Sequence, residues 1–213
     1  MQSETYKHQL SFPNSQNYTQ MDIEKAEEYV FDKLDESLSD TLFYHGPHHT
    51  IDVSNAVLQI AIAEGIHDTE TLHILQTAAF YHDLGFISTY QGHEEESCRL
   101  AKISLPDFEY SDEQIEKICG LIMATKIPQN PTNHLERIIA DADLDYLGRE
   151  DFWTISRSLY EELHAREMVT DIDSWNKIQI SFLENHQYWT ETAKQWRNPA
   201  KLKRIEELRK IIE

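Results

Sequence analysis

Three short stretches place side chains that can hold a cation or move a proton among apolar neighbours. "FYHGPHHT", residues 43–50, carries His45, His48 and His49; "AAFYHDLGF", residues 78–86, carries His82 and Asp83; "ERIIADADLDYLG", residues 136–148, carries aspartates at 141, 143 and 145. Imidazole and carboxylate together make a mixed nitrogen and oxygen donor set that suits Mn, Fe, Ni, Co, Zn or Mg. A cation held this way, with positions left for water, acidifies that water and polarises a phosphoryl oxygen. That is the chemistry of phosphate-ester hydrolysis near neutral pH.

Helical phase sorts these candidates, because residues three, four and seven apart share a face. His49 runs into Val53, Ala56, Val57 and Ile60, an apolar stripe, whereas His48 runs into Asp52, Asn55 and Gln59, a polar one. His49 is expected inside and His48 outside. His45 precedes His49 by four residues, but Gly46-Pro47 intervenes and leaves its direction open. Leu72, Leu75 and Ala79 lead to His82, with Asp83 beside it, so the second stretch also points inward. In the third, Leu135, Ile139, Asp143 and Leu147 form one stripe, which singles out Asp143. Asp141 and Asp145 fall four residues after Arg137 and four before Arg149, and surface ion pairs worth roughly a few tenths of a kcal/mol would account for them. An unpaired aspartate on an apolar stripe would cost several kcal/mol, on the order of a whole stability margin. No basic residue lies on the same faces to offset it, and a divalent cation bound by His49, His82, Asp83 and Asp143 would.

The elements that must position these residues read as helices throughout. Apolar residues recur at three- and four-residue spacing, no alternating strand pattern stands out, and Gly and Pro number only 6 each in 213 residues. The spacing predicts helices at about 21–39, 50–64, 69–84, 93–105, 112–125, 133–147, 150–166, 174–196 and 199–212. Ser111 with Gln114 and Asn133 with Glu136 fit capping boxes, and Gly65, Gly85 and Gly148 fall where left-handed caps would end helices. The expected architecture is all-α: a polar arm over 1–20, a helical core over 21–150, and helices over 151–213 packed on that core within the same domain. The aromatic residues Tyr160, Trp175, Phe182, Tyr188, Trp189 and Trp196 are expected to be C-terminal core rather than a base-stacking platform. His8, His67, His73, His134, His164 and His186 are expected on loops or outward faces.

A formal charge of −19 repels a phosphate backbone and argues against nucleic-acid binding. No apolar stretch approaches the roughly 20 residues of a membrane span, and the first 20 residues lack the apolar centre of a secretory signal, so a cytoplasmic location is expected. Cys98 and Cys119 form no CxxC pair and are expected as reduced thiols.

The ordered pattern of His49, then His82-Asp83, then Asp143 in "DADLDYLG" resembles the HD-domain superfamily of metal-dependent phosphohydrolases over about residues 24–150. "YHGPHHT" is similar to the "YHNxxHT" opening of small bacterial members, "AAFYHDLGF" to their HD helix, and "GHEEES" to the helix that follows. The resemblance implies a compact helical bundle and makes His49, His82, Asp83 and Asp143 the metal ligands. It further implies His45 as general acid and His93 as an active-site residue. Two-metal members usually add a His where this chain has "LIMATK", so Thr125 and Lys126 there imply one divalent cation, with Lys126 a candidate for the phosphate. The "GYP" signature of cyclic di-GMP hydrolases is missing. The implied substrate is a small phosphorylated metabolite, foremost a nucleotide mono- or diester, with no nucleic-acid or membrane partner; the oligomeric state stays open, a homodimer included. Two other readings stand beside this one: an HD-type di-iron oxygenase, and a non-catalytic metal-stabilised sensor or binding module.

Overall fold

A computed structural model describes residues 21–213; the expected arm over 1–20 lies outside them. Among the described residues the chain forms nine α-helices and no strand: α1 Ile23–Ser37, α2 Pro47–Ala63, α3 Thr69–Tyr81, α4 His93–Ser104, α5 Asp112–Thr125, α6 His134–Asp143, α7 Phe152–Ala165, α8 Ile172–Asn185 and α9 Glu191–Ile212. Short 3₁₀ turns follow α3 (Leu84–Ile87), α4 (Leu105–Phe108) and α6 (Asp145–Gly148). The fold is all-α, and no described helix is long and apolar enough to cross a membrane.

The core forms where α2, α3, α5 and α6 turn their apolar stripes toward one another, with α1 across α3 and α4 against α5. Val57, Ile60, Leu75, Ile118, Ile122, Ile138 and Ile139 are almost completely buried there. Each aliphatic side chain of this kind contributes about 1.5–3 kcal/mol relative to exposure. A second cluster, around Leu147, Phe152, Leu183, Tyr188 and Leu208, is built by the Asp145–Gly148 turn with α7, α8 and α9.

Several helix ends differ from those the spacing predicts, and the differences aim the polar residues. Pro47 begins α2 instead of interrupting it, since a proline at the first helical position gives up a donor that would have no partner there anyway. Helix α3 stops at Tyr81 and α6 at Asp143, so His82, Asp83 and Asp143 stand where α-helix gives way to a tighter turn. Ser111 and Gln114 form the expected capping box, and Asn133 caps α6. Gly65 takes the expected left-handed conformation at φ 87°. Gly85 and Gly148 have another reason to be glycine: a Cβ on Gly85 would lie 2.0 Å from the His93 carbonyl oxygen, and one on Gly148 would lie 2.4 Å from that of Arg197. Both are close approaches of one backbone to another.

The C-terminal region breaks at residues 186–190 rather than beside Pro199, which lies inside α9. Tertiary hydrogen bonds decide this. Asp141, fully buried, accepts the Trp189 N–H (2.8 Å), the Thr190 N–H (2.7 Å) and the Thr190 hydroxyl (2.7 Å), and Thr190 caps α9 by accepting the Ala193 N–H. With Ile205 and Leu208 docked at the other end, burial outweighs the ~3 kcal/mol of an internal proline. Asp141 is thus an anchor and not the partner of a surface arginine. Burial pushes its carboxyl up to about 6 against the opposing pull of these hydrogen bonds. Asp145 is also buried, and Arg197 of α9 grips it at 2.6 and 3.0 Å, with Arg149 farther off at 3.8 Å. His186 lies on a loop as expected, but its Nε2 is buried between Phe182 and Tyr188, and its Nδ1 faces Lys201 Nζ at 3.3 Å. Asp141→Ala would leave two backbone N–H groups without acceptors and is expected to cost about 3 kcal/mol in urea unfolding.

Candidate metal centre

His49 comes from the first turns of α2, His82 and Asp83 from the end of α3, and Asp143 from the end of α6. Their donor atoms converge. The two imidazole Nε2 atoms are 3.2 Å apart; Asp83 Oδ2 lies 3.4 Å from that of His49 and 3.2 Å from that of His82; Asp143 Oδ1 lies 3.1 and 3.5 Å from the same pair. Donors bound at about 2.0–2.2 Å to one cation sit about 2.8–3.6 Å from their neighbours, so the spacing suits a single ion. Two further observations favour one. Asp83 Oδ2 is buried and receives no hydrogen bond, an orphan acceptor that a cation would satisfy. His82 Nδ1 faces the Ala79 carbonyl at 2.7 Å and donates to it, which leaves Nε2 with its lone pair directed at the cluster. Without a cation, protons take over the compensation. Burial works against charge on His82, but Asp83 and Asp143 outweigh it and hold the imidazole well above its ordinary range. Burial would likewise raise Asp83 and Asp143; the neighbouring histidines bring both below the usual carboxylate range.

The turn carrying the HD pair is clamped from α4. Ser97 Oγ donates to the His82 carbonyl and accepts the Gly85 N–H, each at 2.8 Å. The contact at Gly85 brings His93 beside the cluster, its Nε2 3.4 Å from Asp83 Oδ1 and its Nδ1 3.1 Å from the Tyr90 carbonyl. Phe86 is stacked between His93 and His45, with ring centroids 3.9 and 4.2 Å away, which fixes both imidazole planes.

His45 is oriented by a residue that the sequence analysis did not single out. Glu162 of α7 is fully buried, bonds His45 Nδ1, and accepts the Tyr44 and His45 N–H groups at 3.0 and 3.1 Å and the Tyr90 hydroxyl at 3.1 Å. Burial alone would raise its carboxyl; the bonds from His45 and the two amides bring it below the usual range. A signal for it exists, since Ile155, Leu159 and Glu162 recur at helical spacing. Glu94, also buried, adds a carboxylate 3.6 Å from His93 Nε2.

The expected set is therefore brought together with one exception. His45, His49, His82, Asp83, His93 and Asp143 converge, His48 stays exposed on the outer face of α2, and the Lys126 ammonium pairs with Glu95 at the surface instead of joining the cluster. Asp83, Asp143, His45 and His93 open onto a cavity of about 320 Å³ whose farther walls come from α7 and α8.

Residues 48–145 match the family model of the HD domain, a segment that contains His49, His82, Asp83, His93 and Asp143. No curated protein matches the chain. A solved structure described as a predicted HD superfamily hydrolase, from an uncultured Thermotogales bacterium, is similar in fold: TM-score 0.54 at 19% identity, covering 87% of this chain and 90% of that one. The segment that holds the clustered histidines and aspartates, residues 48–145, is thus an HD domain by its family match, and the helical fold around it is similar to that of the solved HD superfamily hydrolase.

Proposed function

We propose that the protein is a metal-dependent phosphohydrolase that cleaves a phosphomonoester or diester of a small metabolite. The observation that carries this reading is the buried His49, His82 and Asp83 cluster, with an unsatisfied carboxylate oxygen and with Asp143 Oδ1 3.1 Å from His49 Nε2, at the end of a cavity that two further histidines enter. A divalent cation held by these four residues would polarise a phosphoryl oxygen and acidify water. Asp83 Oδ1, 3.4 Å from His93 Nε2, would orient a water and accept its proton. His45 has its Nδ1 committed to Glu162, which leaves Nε2 to protonate the departing oxygen. The Glu162 carboxylate stabilises the imidazolium that this role needs, as a buried acid does for a catalytic histidine elsewhere. Because Glu162 belongs to α7, residues 151–213 form one functional unit with the core. Lys126 has no part in the scheme.

The test is hydrolysis of p-nitrophenyl phosphate, bis-p-nitrophenyl phosphate, sugar phosphates and nucleotides after chelation and again after adding Mn or Ni. Turnover should vanish with the chelator and return with the metal. Full metal loading with no turnover on any ester would instead identify a sensor or binding module.

A further inference from the structure

Resting on the phosphohydrolase reading, we infer that the substrate carries an apolar organic group, an alkyl chain or aryl ring, and that this group occupies the part of the cavity formed by α7 and α8. Leu159 and Leu163 of α7 and Trp175, Ile178, Phe182 and Leu183 of α8 make that wall. Its polar groups face one another rather than the space: the Gln179 carbonyl accepts the Ser156 hydroxyl, its amide reaches Asn176 Oδ1 at 3.4 Å, and the Trp175 indole N–H donates to Ser156 Oγ at 3.3 Å. A nucleobase or sugar placed there would lose water at its donors and acceptors and find few partners, a cost of about 1–3 kcal/mol for each group left unpaired.

Charge points the same way. Among the described residues no Lys or Arg lines the cavity, and Asp83, Glu94 and Asp143 put three carboxylates at its polar end. Lys126, the basic side chain that follows the lining residue Thr125, is tied to Glu95. One cation and two imidazoles suit a single phosphoryl group. They do not suit the multiple charges of a nucleoside polyphosphate, which would meet these carboxylates without a compensating arginine or lysine. The volume lies within the usual range for a small-molecule pocket.

The experiment uses the full chain loaded with Mn and two series, n-alkyl phosphates for turnover and the matching n-alkylphosphonates for calorimetric binding. Each methylene that enters the cavity should improve phosphonate affinity by about threefold to fourfold until the space is filled, from the transfer energy of a buried methylene. For the phosphates, kcat/KM should rise in parallel and exceed that for nucleoside monophosphates. Ile178→Glu, at a position already 47% exposed and so tolerant of substitution, should flatten the dependence on chain length. Affinity that is independent of chain length, or nucleotides that bind more tightly than octylphosphonate, would overturn the inference even if esters are hydrolysed. Binding that rises with chain length without hydrolysis of any ester would instead remove the phosphohydrolase reading and leave the apolar site standing.

Discussion

Replacing Asp143 with alanine is expected to lower divalent-cation affinity by more than about a hundredfold, because changing residues that merely support a ligand already costs about 10–100-fold. Turnover should fall with it, below about a hundredth of the wild-type rate at any metal concentration that leaves the wild type saturated. The fold should persist. Asp143 Oδ1 faces His49 and His82, at 3.1 and 3.5 Å, and the adjoining helix is held by Ile138 and Ile139, both fully buried. The measurement is Mn titration by calorimetry beside far-ultraviolet circular dichroism. Wild-type affinity in a fully helical variant would remove Asp143 from the ligand set.

The second large effect is expected from Glu162→Gln. The amide keeps the size and still accepts the Tyr44 and His45 N–H groups, but it cannot balance the charge of a protonated His45. Metal affinity should be unchanged, since Glu162 bonds His45, Tyr44 and Tyr90 and none of His49, His82, Asp83 and Asp143. For esters with a poor leaving group, kcat should fall about 10–100-fold. For p-nitrophenyl phosphate, whose leaving group departs with little help from an acid, the loss should be much smaller. A residue that only stabilised the fold would depress both substrates alike, so the ratio between them separates the two roles.

The clustering of these side chains is legible in the sequence because burial of a charge is expensive. His49, His82 and Asp143 stand on apolar stripes, and a helical wheel needs no more than that to mark them. Glu162 escaped notice although Ile155 and Leu159 lead to it at the same spacing, because Glu161 beside it makes the pair look like part of a solvated charged face. Its meaning rests on His45, 117 residues earlier in the chain, and a partner that distant leaves no local trace. Asp145 shows a related limit. The sequence stripe runs on to Leu147 as though α6 continued, whereas the helix ends at Asp143 and the phase changes in the turn that follows. Asp141 does lie within α6, yet its role as an anchor depends on Trp189 and Thr190, which local pattern cannot bring near. Pro199 is the converse case, a strong local signal overruled by docking at both ends of α9. The left-handed caps expected at Gly85 and Gly148 do not form; each glycine instead admits a neighbouring backbone, which local pattern cannot show.

In the proposed reading, His49, His82, Asp83 and Asp143 together hold one divalent cation that hydrolysis requires. Elemental analysis of the purified protein, paired with calorimetric titration of the chelated chain with Mn, tests it most directly. One equivalent per chain is expected, lost when any one of the four residues is replaced by alanine and retained in Glu162→Gln. Two irons per chain with oxygen consumption, or stoichiometric binding that survives the alanine replacements, would contradict it.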